Sequence, residues 1–262
     1  MIIEFFKYLS NPASRSAKKM GQLQETIAME ARYKRSKNQW ASHLENSKNI
    51  IRSATLSVSE TSDIIILGSG LLLDIPIKYL AEKFNRVYLV DVVHLRKTKR
   101  LTRQYNNVIF IEHDITDLSE QMLNKPATGI NFTPALEIPA LSEKTGLVVS
   151  ANMLSQIHLA PVFYAKKHLN INDLTLEKLA HDIMLSHVSL LTNTHCKVCL
   201  IADHKRLYKD HNQNIIETEE VLFGINMPEP DDSWYWEIAP EGELQKNLSM
   251  KSQVYGYKDF HF

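Results

Sequence analysis

Cysteine, net charge and long apolar runs are all scarce in this sequence, and each shortage removes a class of protein. Two cysteines, Cys196 and Cys199, cannot build a disulfide framework, so a reducing, cytoplasmic compartment is expected. They stand in Cys-Lys-Val-Cys, where strand alternation puts them on opposite faces and no second pair exists, so no metal is expected. Lys+Arg and Asp+Glu both number 30, which leaves none of the basic surplus that carries non-specific nucleic-acid binding. A nucleic-acid partner is therefore not expected. No stretch reaches the roughly 18 apolar residues of a membrane span. The opening MIIEFFKYLS is too short for a secretory leader and has the wrong flanks. Internal repeats and low-complexity linkers are absent as well.

What is present falls into two parts. Residues 1–60 are rich in Lys, Arg, Ser, Gln and Asn and read as a helical extension or lid. Ile2, Ile3, Phe5, Phe6, Tyr8 and Leu9 form a small apolar anchor. From Met20 to Ala54 the residues Leu23, Ile27, Trp40, Leu44, Ile50, Ile51 and Ala54 recur near helical spacing, in one helix or two. The basic residues Arg15, Lys18, Lys19, Arg32, Lys34, Arg35 and Lys37 read as a solvated face, or as a surface for an acidic partner. Trp40 and His43 share a helix face, either as packing anchors or as cover for a pocket.

Residues 61–262 alternate strands and helices, which predicts an α/β fold: a Rossmann-like doubly wound sheet, mostly parallel. Strands are expected at Asp63–Leu67, Arg86–Asp91, Val108–Ile111, Leu147–Asn152 and Lys197–Ala202. Helices are expected directly after the turn at Gly68–Gly70, from Leu95 to Tyr105, around Pro161, and from a cap at Asp173. His187 lies on the apolar face of that last helix and reads as a hydrogen-bonded core residue. The stretch 124–146, with Pro126, Pro134 and Pro139, reads as a surface excursion. Residues 234–238 and 252–257 alternate as two more strands, a C-terminal antiparallel pair at one sheet edge.

In a doubly wound sheet the ligand lies at the carboxyl ends of the strands. Gly68 and Gly70 allow a sharp turn and close approach of a ligand. Asp91 ends the second strand about 20 residues past that turn, where a carboxylate can accept both hydroxyls of a ribose. Asp114 follows the third strand and Asn152 ends the fourth. Gln156, His158, Asp203 and His204 stand near the same ends. Of these, Asn152, His158 and His204 are the candidates for orienting or deprotonating a substrate; His158 could equally cap or pack beneath the helix around Pro161. Glu219 and Glu220 could meet a cationic substrate.

With these residues, 60–260 resemble the class I S-adenosylmethionine-dependent methyltransferases. The resemblance implies that Gly68, Ser69 and Gly70 accommodate the methionine part of S-adenosylmethionine, that Asp91 holds the ribose and that Asp114 contacts the adenine. The chain departs from that pattern at Ile66, where the family often has a carboxylate, and at Leu72, where a third glycine is usual. Asp74 is the candidate to replace the missing carboxylate. The implied activity is methyl transfer to an unidentified small-molecule or protein acceptor. The departures keep open a methyltransferase-fold binding or scaffold protein without catalysis. A nicotinamide-binding protein shares the turn and the ribose acid, but Leu73 stands where it needs glycine, and Tyr164 and Lys167 are one residue short of a reductase Tyr-x-x-x-Lys. Oligomeric state is not readable from these patterns.

Overall fold

The computed structural model describes residues 2–124, 134 and 136–262. These form one eight-stranded sheet. Strands β1 (Asp63–Leu67), β2 (Arg86–Asp91), β3 (Val108–Glu112), β4 (Thr145–Ala151) and β5 (Lys197–Lys209) pair in parallel. Strands β7 (Asp232–Ala239) and β8 (Ser249–Tyr257) add an antiparallel edge, giving the order β3-β2-β1-β4-β5-β8-β7. Strand β6 (Ile215–Glu220) forms a hairpin with the outer half of β5. The fold is thus the Rossmann-like, mostly parallel α/β sheet with an antiparallel terminal pair.

Strand β1 sits at the centre because it is apolar on both sides. Ile64 and Ile66 enter a core with Ile51, Leu80 and Trp234, while Ile65 and Leu67 enter another with Met184, Val188 and Leu191. All four side chains are fully buried, each contributing roughly 1.5–3 kcal/mol of transfer free energy. On the first face lie α4 (Lys37–Ala54) and α5 (Ile77–Lys83). On the second lies α9 (Asp173–Thr192), with α8 (Leu159–His168) beside it.

The first 60 residues fold as α1 (Ile2–Ser10), α2 (Arg15–Lys19), α3 (Gln22–Arg35) and α4. The chain between Met20 and Ala54 is two helices, broken at the buried Ser36. Trp40 is a packing residue, 2% exposed, its indole N–H donating to the Ile238 carbonyl at 3.2 Å. The basic face is partly neutralised from within. Glu30 accepts from Lys7, from Lys34 at 3.1 Å and from Lys97 of α6 (Arg96–Leu101) at 3.2 Å. These pairs outweigh burial and hold its carboxyl at about 2.

Three expectations need correction. The turn at Gly68 is not followed directly by a helix. Residues 68–76 run as an irregular loop and α5 begins only at Ile77, after Pro76, whose ring removes a donor and restrains the residue before it. Strand β5 does not stop at Ala202. It continues to Lys209 and turns at Asp210, whose carboxylate accepts from the N–H groups of Asn212 and Asn214, so residues 210–214 form a hairpin tip and β6 follows it. The cap of α9 is Asn172, which accepts from the Thr175 N–H at 2.8 Å, and not Asp173. A short helix, α7 (Leu118–Asn124), follows β3. Of the stretch 124–146, Pro126 lies outside the described residues.

Candidate functional site

The carboxyl ends of β1, β2 and β4 meet at the glycine turn. Gly68 takes φ +75° and Gly70 φ +44°, conformations that suit glycine. A Cβ on Gly68 would come within 2.8 Å of the Ala151 carbonyl oxygen, so the turn can press against the end of β4 only without a side chain. At Gly70 a Cβ would make only ordinary contacts, 3.8 Å from the Asp91 carboxylate and 3.9 Å from the Gly68 carbonyl oxygen.

Asp91 anchors the arrangement. Its Oδ2 accepts from the Gly70 N–H at 2.8 Å and its Oδ1 from the Val93 N–H at 3.3 Å. Burial pushes this carboxyl up, and the N–H groups of Gly70, Val93 and Val92 oppose the shift. Oδ2 keeps a lone pair beyond its bond from Gly70, and Asp91 is half-buried. Ser69 faces the other way. It is 1% exposed, and its hydroxyl lies 3.0 Å from His94 Nε2, so it offers its backbone to the site and its side chain to the core. His94 was not apparent from the sequence, because nothing in its spacing ties it to Ser69. It stacks edge-on to Phe110, and burial holds it at about 3, as a neutral ring.

On the β4 side, Asn152 takes φ +51°, an unusual conformation that asparagine tolerates better than most residues. Its Nδ2 donates to Asp74 Oδ2 at 2.7 Å, while its Oδ1 is buried without a partner. Burial raises the Asp74 carboxyl, and Asn152 and the charge of Lys48 on α4 draw it back. Leu72, at the position of the missing glycine, adopts φ +59°: the backbone keeps the left-handed turn and the buried leucine bears the strain. The structure therefore brings Gly68, Ser69, Gly70 and Asp91 together as one group, and Asp74 and Asn152 as a pair beside it.

Asp114 sits beyond the end of β3, on the strand next to Asp91. Its Oδ1 accepts from the N–H and hydroxyl of Thr116, and its Oδ2 from the Ser119 N–H at 3.1 Å. Its carboxylate thus shapes the entry into α7. His158 begins α8 without a side-chain cap. It is 5% exposed and set edge-on to Phe223, and burial holds it neutral at about 4. His204 stacks on Tyr255 at 4.3 Å and lines a separate cavity of about 310 Å³ with Glu220, Leu222 and Met227. Glu219 and Glu220 are paired with Arg206 and Lys205. His187 is fully buried and hydrogen-bonded to Ser150 at 2.9 Å. Cys199 packs on one face of the sheet and Cys196 on the other. Among the described residues no group of three His, Cys, Asp or Glu side chains could hold a metal, and no helix is long and apolar enough to cross a membrane.

The first 60 residues reach this site. Leu23 and Ile27 of α3 and Ala17 of α2 pack with Val93 and Leu95, just beyond Asp91, and against Leu71 of the turn.

No protein-family model matches the sequence, and no curated protein matches it. Among solved structures, the fold is similar to the 1,6-didemethyltoxoflavin-N1-methyltransferase of Burkholderia thailandensis, at 15% identity and a TM-score of 0.40, over 95% of this chain and 92% of that one. It is also similar to DhpI in a complex with S-adenosylmethionine, at 12% identity and a TM-score of 0.38, over 93% and 83% of the two chains. A third is an S-adenosylmethionine-dependent methyltransferase of Leishmania major, at 14% identity and a TM-score of 0.35, over 96% and 81%.

Proposed function

We propose that this chain binds S-adenosylmethionine at the carboxyl ends of β1, β2 and β4 and serves methyl transfer to a separate acceptor. The observation that carries the reading is the half-buried Asp91 carboxylate, held by the Gly70 N–H at the end of β2 beside the glycine turn. Oriented by the backbone N–H groups of Gly70, Val93 and Val92, it keeps acceptor capacity on Oδ2, where a ribose hydroxyl would donate. Gly68 and Gly70 would border the amino-acid part, and Asn152 Oδ1, buried without a partner, is a free acceptor for its ammonium. The cofactor would supply a methyl group already activated on a sulfonium. The chain then has to hold the acceptor in line and keep water out. Helices α2, α3 and α4 act as the lid for that purpose, α2 and α3 by packing on Val93, Leu95 and Leu71, and α4 by bringing the charge of Lys48 to bear on Asp74.

The dinucleotide alternative lacks its main support here. A pyrophosphate is held by the N-terminus of the helix that follows the glycine turn, and in this chain that helix starts nine residues beyond Gly68. Calorimetry with S-adenosylhomocysteine tests the proposal. Wild type is expected to give a saturable heat, and Asp91→Ala to lose at least tenfold in affinity. Equal heats, or none from wild type, would sink it. Binding with no turnover on any acceptor would leave the scaffold reading in its place.

A further inference from the structure

A second polar group lies beyond the glycine turn, on the face of the sheet covered by α4. Strand β5 carries a bulge at His204, since Asp203 pairs with Val254 and Lys205 with Gln253. The extra residue turns Asp203 and Arg206 to the same face. Register then sets two rows across the sheet: Asp203, Val254 and Trp234 in one, Arg206, Ser252 and Trp236 in the next. Asp203 and Ser252 are 0% exposed, and Ser155, from the loop after β4, is 1% exposed.

The hydrogen bonding of this group is incomplete. Ser155 and Ser252 lie close enough to stabilise the Asp203 carboxylate, yet neither of its oxygens has a partner in hydrogen-bonding geometry, and the Ser155 hydroxyl has none. Arg206 stands 3.8 Å from Asp203 and 3.5 Å from Glu219, with its Nε unpartnered. The Trp236 indole N–H and the Ser47 hydroxyl of α4 are also buried without partners. Charge does not balance either. One guanidinium serves two carboxylates, and the neighbouring His158 is kept neutral. A buried carboxylate with unmet acceptors is among the most costly groups a core can hold, and a ligand that supplies the missing donor is one reason for a fold to keep it.

We propose that Asp203, with Ser155 beside it, is the recognition site for the methyl acceptor, and that the acceptor is a small amine or N–H heterocycle whose positively polarised N–H meets the Asp203 carboxylate. This assignment rests on the methyl-transfer reading above. The loop 152–158 joins the two sites, with Asn152 at the cofactor end and Ser155 at the acceptor end. Asp203, Ser155 and Ser252 are all buried, which suits a small acceptor and not a macromolecular one. Burial raises the Asp203 carboxyl, as expected of an acid whose charge is stabilised only once a donor arrives.

The test uses the full chain with methylamine, histamine and tyramine as probes, read by thermal midpoint in the presence of S-adenosylhomocysteine. At least one amine should raise the wild-type midpoint saturably by about 2 °C or more, and none should raise that of Asp203→Asn. Asp203→Asn alone should melt no lower than wild type, because it removes an unmatched buried charge. Ser155→Ala should keep the wild-type midpoint and weaken the amine effect several-fold. No shift with any amine, the same shift in Asp203→Asn, or a midpoint several degrees lower in that variant would overturn the assignment; the last would make Asp203 a structural partner of Arg206. Calorimetry with S-adenosylhomocysteine keeps the two proposals apart. Asp203→Asn should bind it as wild type does, whereas failure of wild type to bind it would overturn the methyl-transfer reading and with it the acceptor role of Asp203, and amine shifts that persisted would show an amine site only.

Discussion

Leu72 and Asn152 place non-glycine residues where the backbone turns left-handed, and both flank the turn at Gly68. The strain at Leu72 is about 1–2 kcal/mol, while burial of its side chain, 8% exposed, works the other way. A large-to-small change in a core costs roughly 2–5 kcal/mol, so burial is the larger effect. Leu72→Gly is therefore expected to lower stability by about 1–3 kcal/mol net in urea unfolding, despite the relieved backbone; a gain would show that strain dominates. Asn152→Ala removes the donor from Asp74 and should cost about 1–3 kcal/mol by the same measurement. At this scale the sequence was informative where chemistry follows position along a strand. Asp91 and Gly70 could be paired from their spacing alone. The Ser69–His94 contact could not, and neither could the use of the Asp114 carboxylate within its own turn, because both depend on loop conformations that no periodicity encodes.

Among the elements, the five parallel strands were legible because each is a short apolar run bounded by polar or glycine residues. The long β5 and its partner β6 were not. Beyond Ala202 the strand turns polar, and the bulge at His204 breaks the alternation that would have marked it. Helix α4 docks on β8 at one point of close approach: a Cβ on Gly256 would come within 2.8 Å of Ile50 Cγ1 and 3.0 Å of Trp234. Gly256→Ala should accordingly push α4 outward and cost about 1–3 kcal/mol, the usual penalty of overpacking. Glu30 ties α1, α3 and α6 together. Its folded-state value of about 2 lies below the ordinary 4.5, so its contribution is complete above pH 4.5 and is lost as the pH falls towards 2. The stability difference between wild type and Glu30→Gln should shrink over that window; a difference independent of pH there would show that the three lysine pairs contribute nothing through charge.

For the molecule as a whole, four buried histidines make the fold weaker in acid, an effect that the raised carboxyls of Asp74, Asp91 and Asp203 oppose. His43 and His94 are held at about 3, His158 and His187 at about 4, in each case mainly by burial. His43 must be neutral to accept the Trp234 indole N–H at 3.0 Å. Between about pH 4 and 6.5 the unfolded chain binds these protons and the folded chain does not, so stability falls as the pH falls. Each histidine contributes up to about 1.4 kcal/mol per pH unit in that range. The urea midpoint should decline steadily from pH 7 to pH 5, and a flat profile would contradict a folded state with four neutral imidazoles.

The contact between Ile50 and Gly256 also has a temporal meaning. The two residues are about 200 positions apart, and Trp40 likewise seats against Trp236 and Ile238. During synthesis at about 5–20 residues per second, α4 leaves the ribosome well before the strands it covers exist. For that interval its apolar stripe has nothing to pack on, and the nascent chain must keep Trp40, Leu44 and Ile51 from other partners until β7 and β8 arrive. A nascent chain stalled before Ser249 should therefore expose α4 to protease and to chaperone, whereas a chain released after Tyr257 should protect it.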